Sequence, residues 1–150
     1  MGEKIDRAVM PGVQGGTFMN VVAAKAIACQ EAMHPSFVTY QKQVVKNAQA
    51  MAKEFQNLGY RVVSGGTDTH LFLVDLADKG LTGKQAEQLL ESHGIYVNRN
   101  LIPFDSKPPL EASGIRIGTP AITSVGITEE VAMEIVRKID KFLTFNCFSM

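Results

Sequence analysis

Between Pro35 and Gly59 the chain contains no glycine and no further proline. Over the same span Phe37, Tyr40, Val44, Ala48, Met51 and Phe55 recur at steps of three and four. That spacing stacks side chains along one stripe of an α-helix. Pro35 suits the first helical position, where its missing N–H costs nothing, and Gly59 supplies a left-handed stop. At ~1.5 Å per residue the helix runs roughly 35 Å, long for a small domain. A helix of that length often connects two bodies, so the segments on either side are best read separately.

On the N-terminal side, "TFMNVVAAKAIACQEAM" is small and apolar throughout, which predicts a helix buried on much of its surface. On the C-terminal side the period changes. "YRVVSGG" and "THLFLVDL" are short β-branched and aromatic runs around a Gly-Gly-Thr-Asp turn and read as two strands. "LTGKQAEQLLESHG" reads as a helix, with Thr82 and Gln85 spaced as a capping box and Gly94 as its end. "IYVNRN" and "GIRIGTPAIT" read as two further strands, separated by a polar, proline-rich loop from Leu101 to about Ser113. Thr128, followed by Glu129 and Glu130, opens the closing helix "TEEVAMEIVRKIDKFL". The order β-β-α-β-β-α predicts an α/β unit, a small sheet with helices on one face, preceded by the long connecting helix. The expected division is an arm at 1–33, the connecting helix at 34–59, and a small α/β domain at 60–150.

Composition excludes several functions. Lys plus Arg is 15 and Asp plus Glu is 15, so no net charge draws the chain to nucleic acid or an anionic membrane. No apolar run approaches the ~20 residues of a membrane span. The N-terminus carries Glu3, Lys4, Asp6 and Arg7 and does not resemble a secretory signal. Cys29 and Cys147 are the only cysteines, far apart, and are expected as free thiols in a reducing, cytoplasmic setting. His34, His70 and His93 have no metal-ligand spacing.

A few residues point towards chemistry. Gly15 and Gly16 precede a helix, where backbone amides and the helix dipole favour an anion and missing side chains permit close approach. The same glycines also suit a plain tight turn. Arg116 sits between two isoleucines in "SGIRIGTPA". Its planar fork suits a carboxylate held by two hydrogen bonds, and it equally suits an ion pair with a nearby Asp or Glu. Asn98 and Asn100 frame the long loop, where an amide bonds a ligand or closes a turn. Asp68 and His70 lie in a hairpin turn and are weaker catalytic candidates. Lys25 lies in an apolar helix, either as a nucleophile or snorkelling to solvent.

Taken together, "AVMPGVQGG", "VVSGGTDTHLFLVDL", "LTGKQAE", "YVNRN" and "SGIRIGTPAIT", in this order and spacing, closely resemble serine hydroxymethyltransferase from about Lys4 to about Leu143. The resemblance is to the C-terminal part of that enzyme, roughly its last third. It implies the C-terminal small domain of the aspartate-aminotransferase-like, fold type I pyridoxal-phosphate fold, with residues 1–33 belonging to the large cofactor domain. The family moves a one-carbon unit between serine and tetrahydrofolate, giving glycine.

The resemblance also implies roles. Gly15 and Gly16 match the glycine pair whose amides reach the cofactor phosphate of the neighbouring subunit. Arg116 matches the arginine that binds the substrate carboxylate. Asn100 matches an asparagine that contacts the folate ring. Met10 stands where the family usually has an aromatic residue near the partner subunit's folate. The family's Schiff-base lysine, in a threonine- and histidine-containing motif, has no counterpart here, and "LTFNCFSM" matches nothing in the family pattern. The expectation is a chain truncated at both ends and inactive alone, forming a homo-oligomer or pairing with an upstream large domain. The alternative is a stand-alone interaction module that pairs with a full-length subunit.

Overall fold

The structure, a computed structural model, describes residues 1–145. It divides into two compact units, Met1–Val38 and a second beginning at Thr39.

The first unit opens with α1 (Gly2–Arg7), followed by a wide helical turn at Ala8–Val13 that is interrupted at Met10 and contains Pro11. α2 (Met19–Met33) follows. The expected helix is there, but its expected burial is not: no residue of α1, the wide turn or α2 is buried. α2 is apolar on nearly every side, so its composition marks it for coverage without showing what covers it.

α3 (Pro35–Asn57) begins at Pro35, and Gly59, with φ +79°, follows its end. Val44, Ala48, Met51 and Phe55 of the expected stripe are buried, while Phe37 and Tyr40 are half-buried. Polar residues share that face. Asn47, fully buried, donates through Nδ2 to Thr123 Oγ1 (2.9 Å) and to the Ile127 carbonyl (2.8 Å), and accepts from Gln43 Nε2 at 2.9 Å.

Among the described residues the second unit has four strands: β1 (Arg61–Val62), β2 (Leu71–Asp75), β3 (Asn98–Asn100) and β4 (Gly114–Gly118). They form one antiparallel sheet in the order β1-β2-β4-β3. β4 therefore lies between β2 and β3, which are joined by α4 (Gly83–Ser92). Phe72, Val74, Ile115 and Ile117 share one face. They cluster with Met51 and Phe55 of α3, Ala86 and Leu90 of α4, and Ala132, Val136 and Ile139 of α6 (Glu129–Phe145). The other face carries Leu73, Arg116 and Asn98 in direct register.

The cap and stop expected for α4 both form. Thr82 Oγ1 accepts from the Gln85 N–H and Gln85 Oε1 accepts from the Thr82 N–H, a complete capping box. Gly94 has φ +76°. The strands are shorter than their apolar runs. β1 stops at Val62, because Ser64 adopts φ +61°. Residues before Asn98 are outside β3, since the Ile95 N–H turns back to the Leu90 carbonyl at the end of α4. "GIRIGTPAIT" is not one strand. It stops at Gly118, and Pro120 opens the short helix α5 (Pro120–Ser124). Proline has no N–H for a sheet ladder but suits the first helical turn.

Candidate functional site

Each unit carries one candidate site. In the first, Gly15 and Gly16 lie between the wide turn and α2. Neither has a positive φ, and a Cβ built on either meets nothing within 4 Å. The fold of this chain therefore does not require glycine at these two positions. Gly114 is the opposite case: its Cβ would lie 2.7 Å from Ile102 Cγ2 and 2.8 Å from the Val74 carbonyl oxygen. Gly83 is similarly excluded from bearing a side chain by the Gly114 carbonyl.

A concavity of about 370 Å³ opens at the glycine pair, lined among others by Gln14, Thr17, Phe18 and Lys25. Phe18 precedes α2 as its cap residue and provides no side-chain hydrogen bond. The helix start thus lacks the closure that Thr82 gives α4. Open amides, the positive end of a helix and two absent side chains are the elements of an anion cradle.

In the second unit, Arg116 is exposed on the sheet face opposite the core. Gly114 and Gly118 are its neighbours on that face of β4. Its Nη2 donates to Asn98 Oδ1 at 3.1 Å, across the β3–β4 register pair. Among the described residues it has no carboxylate partner. The other arginines of this unit each meet one: Arg61–Asp75 at 2.6 Å, Arg99–Glu87 at 2.9 Å and Arg137–Glu54 at 2.7 Å. Arg137, with a further hydrogen bond from Asn57, holds the Glu54 carboxyl below its ordinary pKa. The structural ion pair considered for Arg116 is thus not formed among the described residues.

Asn100 is half-buried, and its Nδ2 donates to the Leu101 carbonyl at 2.7 Å, which closes the start of the long loop. Asp105 organises the rest of that loop. Its Oδ1 accepts from the Lys107 N–H (2.9 Å) and Ser113 Oγ (2.7 Å). Its Oδ2 accepts from the Ser113 N–H (2.8 Å) and Ile102 N–H (3.2 Å). Burial is the largest single influence on Asp105 and opposes ionisation, but these hydrogen bonds outweigh it and lower the pKa to about 2. The sequence reading passed over this residue. The signal available was an Asp preceding Ser, Lys and two prolines, a pattern that favours local side-chain to backbone bonds.

The weaker candidates gain little. Asp68, His70 and Lys25 are exposed. His70 contributes its carbonyl, which accepts from the Thr119 N–H. His93 Nδ1 lies 2.9 Å from the Leu89 carbonyl, and its ring stacks on Phe142 at 4.0 Å. Among the described residues there is no cluster of metal-ligating side chains. Cys29 is exposed and free, and Cys147 lies outside the described residues. No helix among the described residues is long and apolar enough to cross a membrane.

The family described as serine hydroxymethyltransferase matches this chain over residues 1–139, a span that holds both candidate sites. With that match covering most of its length, the chain belongs to the serine hydroxymethyltransferase family.

Proposed function

We propose that this chain is the C-terminal portion of a serine hydroxymethyltransferase, contributing substrate-positioning groups to a reaction that interconverts serine plus tetrahydrofolate with glycine plus methylene-tetrahydrofolate. Its second unit takes the role of the C-terminal small domain of the fold type I arrangement. The observation that carries the reading is Arg116, an arginine with an amide partner and, among the described residues, no carboxylate, on an open sheet face between two glycines. An uncompensated guanidinium there suits the α-carboxylate of an amino acid.

The family's cofactor is pyridoxal phosphate, which when bound supplies an electron sink for the amino acid's reacting carbon. The residues present fit its phosphate. Gly15 and Gly16 leave space that their own fold does not need, before a helix start with no side-chain cap. In this reading their amides hold the phosphate of a cofactor seated in a neighbouring subunit. Arg116 orients the substrate carboxylate, and Asn100 lies towards the folate ring. The chain contains no match to the family's lysine motif, so we infer that turnover requires a polypeptide bearing that lysine.

The test is complementation. The purified chain, with pyridoxal phosphate, serine and tetrahydrofolate, is expected to give no serine cleavage. Adding an upstream fragment with the lysine motif restores it, and Arg116→Ala removes the restored activity. Turnover by these residues alone refutes the need for the lysine motif. Restored activity indifferent to Arg116→Ala refutes the carboxylate role and favours an interaction module.

A further inference from the structure

We infer that Asn98 is a positioning residue for Arg116: its amide oxygen orients the guanidinium on the open sheet face while leaving the positive charge available to a carboxylate ligand. This rests on the proposed carboxylate role of Arg116 and adds the residue that makes that role possible.

The arginines of the second unit differ in what holds them. Arg61, Arg99 and Arg137 each meet a carboxylate at 2.9 Å or less. Arg61 and Arg99, like Arg116, stand on the sheet. An arginine paired with a carboxylate is held but electrically neutralised. Arg116 is held differently. Its Nη2 donates to Asn98 Oδ1, a neutral acceptor, at 3.1 Å.

A guanidinium has five N–H donors, so one bond to an amide leaves most of the fork open. An Asp at position 98 would offer a similar oxygen at a similar reach, but as an internal competitor for those donors. Backbone pairing sets the geometry. Asn98 and Arg116 are register partners across β3 and β4, so the contact is built into the sheet and does not depend on a flexible loop. On the same strand Gly114 and Gly118 raise no side chain beside the guanidinium. The arrangement restrains the arginine on its Asn98 side and leaves it unscreened along β4.

The experiment uses the full chain and the Arg116 side-chain Nε–H signal in heteronuclear NMR, titrated with serine and, separately, with serine amide, which has no carboxylate. Serine is expected to shift the signal saturably and serine amide is not. Asn98→Asp is expected to weaken the serine response about fivefold, the scale of an exposed ion pair formed in competition. Asn98→Ala is expected to raise the mobility of the Arg116 side chain on the picosecond–nanosecond scale, and Asn98→Ser, which keeps an oxygen acceptor, to raise it less. Backbone amide spectra confirm that each variant retains the sheet.

Three outcomes overturn the inference: an Asn98→Asp chain that binds serine like the parent, an Asn98→Ala chain with unchanged Arg116 mobility, or no serine-dependent shift in the parent. The underlying role of Arg116 fails by a different result, namely complemented activity unaffected by Arg116→Ala. Asn98→Asp tests whether a charge at position 98 competes for the guanidinium; the gain in Arg116 mobility in Asn98→Ala, smaller in Asn98→Ser, tests the positioning itself.

Discussion

Both units are rich in apolar residues and do opposite things with them. In the second, Val44, Met51, Phe55, Val74, Leu90, Ile115 and Ile139 are all buried to within a few per cent. In the first, Val13, Phe18, Met19, Ile27 and Met33 all stand in solvent. Local sequence supports helices in both. What differs is the availability of a second layer, which the sheet and α6 provide after residue 59. A helix without that layer keeps its backbone hydrogen bonds but leaves its apolar stripe uncovered. The same division runs through the glycines. Gly83 and Gly114 are required by neighbours in their own unit, whereas Gly15 and Gly16 have no such neighbour.

The strongest test of this contrast is assembly. Uncovered apolar surface on that scale is an association surface. The purified chain is therefore expected to sediment above its monomer mass of 16.3 kDa. The double change Phe18→Asp and Ile27→Asp is expected to shift the population towards monomer. A clean monomer for the unaltered chain would show that the exposed residues of the first unit do not drive assembly.

Next in size is the core itself. Phe55 is fully buried and meets Tyr60 edge-on at 5.3 Å and Phe72 at 5.9 Å. Phe55→Ala should cost about 3–5 kcal/mol in denaturant unfolding, from lost burial and the cavity left behind. Phe18 is 75 % exposed. Measured at a concentration where the chain is monomeric, Phe18→Ala should change the unfolding free energy by no more than about 0.5 kcal/mol. Equal losses at the two positions would mean that the first unit is covered in solution as fully as the second.

Asp105 gives the third test. Asp105→Ala leaves the amides of Ile102, Lys107 and Ser113 without their acceptor and should cost about 1–3 kcal/mol. The sign of the pH dependence follows from its pKa, about 2 when folded against an ordinary 3.8. A lowered folded pKa gives stability that is present above the unfolded value and lost as pH falls through the folded one. Stability of the parent should therefore drop between about pH 4 and pH 2, and the drop should be smaller in Asp105→Asn. Matching acid profiles for the two chains would show that the loop is held by other groups.

How far these features could be read in the sequence depends on the range of the interaction. The α3 stripe, the Thr82–Gln85 box and the stops at Gly59 and Gly94 are local, set by residues a few positions apart, and all were legible. Arg116 drew notice because a charge between isoleucines on a strand is unusual. Its partner was not legible, because Asn98 reaches it only through the β3–β4 register, 18 residues apart in sequence. The four bonds of Asp105 depend similarly on loop closure. The end of β4 was misread because "GIRIGTPAIT" continues its apolar alternation past the point where Pro120 stops the ladder. The burial of α2 was misread because an apolar surface reports a need for cover and says nothing of its source.

The smallest effect separates the helix starts. In α4 the two hydrogen bonds between Thr82 and Gln85 satisfy first-turn and cap amides. Thr82→Ala should therefore cost about 1 kcal/mol. At α2 the Phe18 side chain offers no acceptor, although its carbonyl takes the Val21 and Val22 amides. Phe18→Asn introduces a cap where none exists and should stabilise α2 by a fraction of the amount lost at Thr82, roughly 0.5 kcal/mol. Amide hydrogen exchange at Met19 and Asn20, which the Phe18 carbonyl does not take, resolves a change of that size. Slower exchange in Phe18→Asn means that the first turn is open in the parent chain, as an anion-receiving helix start requires. Unchanged exchange means that these amides are already engaged, and the first unit's glycine pair then has no open helix start behind it.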